Sequence, residues 1–95
     1  MRANPERADE ALGILQEECA EVIVQVSKVN RFGLDNCYND GPPQRDKLEK
    51  ELGDVMAMID ILIEQGVVSE FALAIAIANK KEKLKEWSTI YDESK

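Results

Sequence analysis

The sequence predicts an all-α fold of three main helices, and three observations carry that prediction. Apolar residues return at steps of three and four in the first two segments, residues that start or stop helices stand at the ends of all three, and the third segment, Phe71 to Ala78, alternates its large residues only with alanine, a good helix former. Asn4 is placed to cap the first helix, with Pro5 as its first residue, where a missing N–H is no loss. Its apolar stripe runs Leu12, Leu15, Cys19, Val22, Val26, Val29 and is expected to end near Phe32, because Gly33 suits a left-handed terminator. Residues 33–43 are dense in turn formers and read as a long loop. A second stripe, Leu48, Leu52, Val55, Ile59, Leu62, stops at Gly66. Ser69 can cap a third helix that carries Phe71, Leu73, Ile75, Ile77 and Leu84 to about Trp87, and the polar tail from Ser88 to Lys95 is expected to fray. The expectation is one domain over residues 1–95, helical from about 5 to 87.

Composition excludes several classes of function. Nineteen acidic residues against twelve basic ones give a net charge of −7, the wrong sign for a protein that must displace counterions from a nucleic acid. The longest apolar run, Phe71 to Ala78, is too short to span a bilayer, and the charged start does not suit a secretory signal, so no membrane partner is expected. There is no histidine, which removes histidine general bases, Ser-His-Asp triads and His-ligated metals. Cys19 and Cys37 form neither a C-x-x-C motif nor a disulfide framework, which points to a reducing cytoplasm, and Cys19, lying in the stripe, is expected to be buried.

Three helices of this length enclose a thin core, and the helices are apolar on more than one side. At about 100° per residue, Val24 falls opposite the first stripe and Ala57 opposite the second, with Ile14, Met58 and Ile61 on the flanks. A second copy of the chain, as a dimer or a dimer of dimers, is the simplest cover for such surfaces.

The chemistry sits in an internal repeat. Leu15-Gln-Glu-Glu18-Cys-Ala-Glu21-Val22 and Leu48-Glu-Lys-Glu51-Leu-Gly-Asp54-Val55 both read L-x-x-E-x-x-[E/D]-V. Each Leu and Val belongs to the stripe, and each acid pair, three residues apart, shares one flank. When the two helices pack as an antiparallel hairpin, Glu18, Glu21, Glu51 and Asp54 can converge, and that many like charges need compensation. An all-oxygen ligand set suits a hard divalent cation, Mg²⁺ or Mn²⁺, with Ca²⁺ also open. Glu10, Glu64 and Glu70 read as an ordinary solvated face. Glu17 points away from Glu18 on the wheel and is either exposed, behind the ligands or in contact with another subunit, while Asp60 stands in an apolar segment as a partnered or a free carboxylate.

Glu17-Glu18-x-x-Glu21 followed by Glu51-x-x-Asp54 resembles the E-E-x-x-E … E-x-x-D signature of MazG-like all-α nucleoside triphosphate pyrophosphohydrolases. The neighbouring words Ser27-Lys28-x-x-Arg31-Phe32-Gly33 and Glu-Leu-Gly-Asp-Val-Met-Ala are similar to short, phage-encoded forms, over roughly residues 11 to 86. The resemblance implies a helical bundle completed by oligomerisation, a homodimer or homotetramer, and hydrolysis of a (d)NTP to the monophosphate and pyrophosphate. It implies Mg²⁺ ligands at Glu18, Glu21, Glu51 and Asp54, and phosphate-binding residues on the third helix at Asn79, Lys80 and Lys83. A water made more acidic by the ion is the expected nucleophile, with Glu18 or Glu17 to accept its proton. Lys28 and Arg31 either meet phosphate or base or simply complement the helix dipole, and Lys85 reads as the latter. Phe32, Tyr38 and Trp87 are placed to stack on a base, and Asn36 or Asn39 of the loop to line its pocket. The phage-type likeness favours a deoxynucleotide, with dGTP the purine nominated, and the cytoplasm, the host's if the gene is a phage's. Two other classes stay open: a non-catalytic helical interaction module, and a nucleotide-sensing relative without turnover.

Overall fold

The computed structural model describes residues 5–37 and 40–92; Asn4, Tyr38, Asn39 and the last three residues of the tail lie outside them. Helices α1 (Pro5–Phe32), α2 (Gln44–Glu64) and α3 (Glu70–Trp87) make up the fold, within a residue or two of the boundaries the sequence predicts. Their ends have local causes. The N–H of Gly33, at φ 89°, returns to the carbonyl of Val29, the single bond of a left-handed terminator. At the end of α2, Gly66 at φ 74° bonds back to Ile63 and Val67 to Leu62, the paired bonds of a Schellman stop. Ser69 caps α3 by accepting from the N–H of Ala72.

The start of α2 has no side-chain cap, since Pro43 precedes it. The loop supplies the acceptors instead: Gln44 and Arg45 donate their backbone N–H groups to the carbonyls of Asn36 and Leu34. Asn36 in turn donates its side-chain amide to the carbonyl of Phe32, at the end of α1. Arg45 also grips Asp35 through two bonds of 2.9 and 3.2 Å, a fork-shaped pairing that holds the Asp35 carboxyl below its ordinary pKa. The turn-rich segment is thus tied to both helices it joins.

Helices α1 and α2 pack antiparallel as a hairpin: Ala11 near the start of α1 meets Met58 and Leu62 near the end of α2, and Gln25 meets Gln44 at the other end. The side of α1 that faces this seam is Ala11, Leu15, Glu18, Val22, Gln25, Val29, while Leu12, Cys19 and Val26 are exposed. Relative to the predicted stripe the helix is turned toward Glu18, and Cys19 is a surface thiol rather than a buried one. The reason is that α1 is apolar on several sides, so its periodicity leaves the phase open; packing chooses the side where small Ala11 lets the helices approach. On α2 the same rotation puts Met58 in the core and exposes Leu52. Gln25 donates to the side-chain oxygen of Gln44 at 2.8 Å, which satisfies a polar pair in the seam.

Helix α3 packs extensively against neither partner. None of its residues is buried; Phe71 is 76% and Trp87 81% exposed. The chain is flat, measuring 43 × 38 × 14 Å, a single layer of helices. Ser88 folds back on Leu84 and its hydroxyl accepts from the N–H of Ile90, so the chain forms a turn after α3 as far as Asp92.

Candidate functional site

Rotation of α1 toward Glu18 puts that side chain into the seam, level with the second acid pair. Ligand oxygens of Glu18, Glu51 and Asp54 lie within 4.8 Å of one another, all three residues half-buried. Two oxygens on opposite sides of a magnesium ion are about 4 Å apart, so this spacing suits one ion with only small side-chain adjustment. One oxygen of Glu51, Oε2, is buried without a hydrogen-bond partner, an acceptor left for a cation. The donor set and its unsatisfied oxygen therefore fit a hard divalent ion.

Loss of hydration raises the pKa of Glu18 above the ordinary carboxylate value, and the charges of Asp54 and Glu51 raise it further. Lys50 opposes them. Its ammonium lies 2.8 Å from Asp54 Oδ2 and 3.4 Å from Glu51 Oε1, and those two bonds hold the ammonium's own pKa above the usual lysine range. Sequence reading passed over Lys50, although the Lys50-to-Asp54 spacing of four residues on a helix is a recognisable signal.

Glu21 stands one turn further along α1, exposed, and outside the three-acid group. It lines a cavity of about 410 Å³ together with Glu51, Lys28, Lys47 and Lys50. Lys28 and Lys47 also border a smaller cavity of about 260 Å³, where Arg31, Phe32 and buried Gln44 complete the wall. The Arg31 guanidinium rests over the Phe32 ring, 5.1 Å from its centre. Acids, lysines and then an aromatic–cation pair thus follow one another along the hairpin.

The remaining candidates lie elsewhere on the chain. Glu17 and Asp60 are exposed. Asn79 and Lys83 line a surface cleft on α3 with Lys85 and Glu86, and Lys80 borders an apolar groove between α2 and α3 formed by Ile59, Leu73 and Ile77. Within one chain, α3 residues share neither cavity of the hairpin. Asn36 is engaged with the end of α1, and Trp87 is exposed at the end of α3.

No helix among the described residues is long and apolar enough to cross a membrane. Neither the curated proteins nor the solved structures yield a match to the chain. The model of the MazG nucleotide pyrophosphohydrolase domain matches residues 7–88, which span all of α2 and α3 and nearly all of α1. With that match and its helical hairpin of facing acids, the chain belongs to the MazG nucleotide pyrophosphohydrolase family.

Proposed function

We propose that the protein hydrolyses a nucleoside triphosphate between its α and β phosphates, releasing the monophosphate and pyrophosphate, and that a divalent cation is required. The observation that carries this reading is the meeting of Glu18, Glu51 and Asp54 beside a cavity lined by Lys28, Lys47 and Lys50 together with Glu21, Asp46 and Glu51. Those three acids would hold the ion, Mg²⁺ or else Mn²⁺, with Glu21 the fourth candidate at the cavity wall. When bound, the ion supplies screening between the acids and the triphosphate and draws charge from the α-phosphorus.

The chain's own groups do the rest. Lys28, with Lys47 and Lys50, presents ammonium groups to phosphate oxygens across the larger cavity. Arg31 and Phe32 offer a cation and a ring face at the smaller one, chemistry suited to a base. A water in line with the α-phosphorus loses its proton to a carboxylate, that of Glu18 or Glu17. A deoxynucleotide is the proposed substrate, dGTP the first to test, and the cytoplasm the proposed location.

The same reading calls for more than one copy of the chain. A single layer 14 Å thick leaves Leu12, Ile23 and Val26 of α1 exposed, along with Phe71, Ile75 and Ile77 of α3. Domains are stable when such faces are covered by a second layer. A homodimer or homotetramer covers them and lets the α3 of a neighbour bring Asn79, Lys80 and Lys83 toward the cavity. Light scattering is expected to return a multiple of the 10.7 kDa chain mass at micromolar concentration; a monomer there would remove this part of the proposal.

The direct test is a panel of nucleoside triphosphates incubated with the protein and Mg²⁺, with products followed by ³¹P NMR. Pyrophosphate with monophosphate is the expected outcome, abolished by chelation. Orthophosphate with diphosphate would place the cleaved bond elsewhere. Mg²⁺-dependent binding without turnover would leave a nucleotide sensor, and neither binding nor turnover an interaction module.

A further inference from the structure

We infer that Lys50 is the acid cluster's built-in counter-ion, which holds Asp54 and Glu51 together in the metal-free chain and is displaced from them when a divalent ion binds. The inference rests on the proposed metal site and concerns how the chain itself sets that site's affinity. One ammonium bridges two of the three acids, at 2.8 Å to Asp54 and 3.4 Å to Glu51. A pair of this kind on an open helix face is common and contributes little. Here both acids belong to a group whose oxygens crowd within 4.8 Å, so the ammonium offsets a repulsion that would otherwise push the seam apart.

The compensation is incomplete in a way that favours exchange. A single positive charge faces three carboxyl groups, and Glu51 Oε2 stays buried without a partner while Oε1 takes the lysine. A doubly charged ion satisfies more of that set. Lysine is also suited to leaving: its charge is compact, its stem flexible, and its side chain two-thirds exposed. It stands on the wall of the 410 Å³ cavity, so the ammonium has room to withdraw without crossing the packed seam. Metal binding therefore includes the loss of two ion pairs, and Lys50 lowers the apparent affinity of the site it protects.

Titration calorimetry with Mg²⁺ alone, in nucleotide-free protein at about 0.15 M salt, tests this. Lys50→Met is expected to tighten Mg²⁺ binding at least about fivefold, because the ion no longer competes with a tethered cation. The control is Lys47→Met, which removes the same charge from the same cavity and helix without touching either ion pair; its change is expected to stay within about twofold at that salt. The melting temperature provides a second readout. Lys50→Met is expected to melt below wild type without metal and to close the gap at saturating Mg²⁺. Equal Mg²⁺ affinities in the two variants, or weaker binding by Lys50→Met, would overturn the counter-ion role and leave the metal site standing. A wild-type chain that binds no Mg²⁺ would end both readings together. If Lys50→Met is unfolded without metal, recovery of its helical signal on adding Mg²⁺ is the expected result, and no recovery at any concentration overturns the inference.

Discussion

Replacing Glu51 by Gln, or Asp54 by Asn, is expected to lower pyrophosphate release about a hundredfold or more while the helical circular dichroism stays intact. Both side chains contribute oxygens to the three-acid group, and each substitution turns an anionic ligand into a neutral one of the same shape. Neither side chain belongs to the buried apolar cluster, so the fold is expected to survive the loss of either charge. In metal-free buffer the variants are expected to melt at or above the wild-type temperature, because one of the mutually repelling charges has gone. The sign of the pH dependence follows from Glu18, whose pKa is raised in the folded chain by burial and by Asp54 and Glu51. A carboxyl that holds its proton more tightly when folded favours folding at acid pH. That contribution falls away as pH rises above the ordinary carboxylate value and through the raised one. Wild-type protein without metal should therefore lose stability over that range, and Glu51→Gln should lose less. Normal turnover in either variant would take that residue out of the site, whatever the melting curves show.

The second large effect is on stability. Leu62→Ala is expected to cost about 2–5 kcal/mol in urea denaturation, a large share of what a domain of this size has to lose. Leu62 is 3% exposed and sits with Ala11 and Met58 where the two long helices meet, with Leu15, Ile61, Val67 and Val68 packed around. The cost is high because truncation removes a nearly fully buried side chain from the centre of this cluster and leaves a gap among its packed neighbours. Leu12→Ala provides the contrast. Leu12 is 44% exposed in the single chain, so its truncation removes little buried surface there. A Leu12→Ala loss as large as that of Leu62→Ala, and dependent on protein concentration, would show that another chain covers this face. A Leu62→Ala shift below about 1 kcal/mol would contradict the packing described for the hairpin.

Much of this architecture was legible in the chain. Gly33 and Gly66 stop helices where they do because their backbones take positive φ, and Ser69 starts one because its hydroxyl can accept an otherwise orphaned N–H. The repeated L-x-x-E-x-x-[E/D]-V places paired acids at one spacing on two helices. Which acids meet was less legible. The wheel set Glu18 to one side of a stripe through Leu12, Cys19 and Val26, whereas the structure turns α1 so that Glu18 lies in the seam and those three face outward. Met58 moved from flank to core by the same rotation of α2. Glu21 shares the cavity wall with Glu51 but lies outside the group of three close oxygens. Lys50 occupies a variable position inside the motif, and its spacing of four from Asp54 is common on helix surfaces, so the spacing alone does not single it out.

The order of residues along the chain was enough to set the number of helices, their limits, the lack of any histidine side chain and the pairing of acids at a fixed spacing. Those are local matters, settled by backbone preference and by a periodicity that repeats every few residues. The rotation of each helix about its axis, the membership of the three-acid group, the ion pairs of Lys50 and the separation of α3 from the hairpin emerge only from packing. A helix that is apolar on several sides can bury any of them. Its phase is chosen only when its side chains meet those of a neighbour, and which oxygens come within reach of one cation follows from that choice.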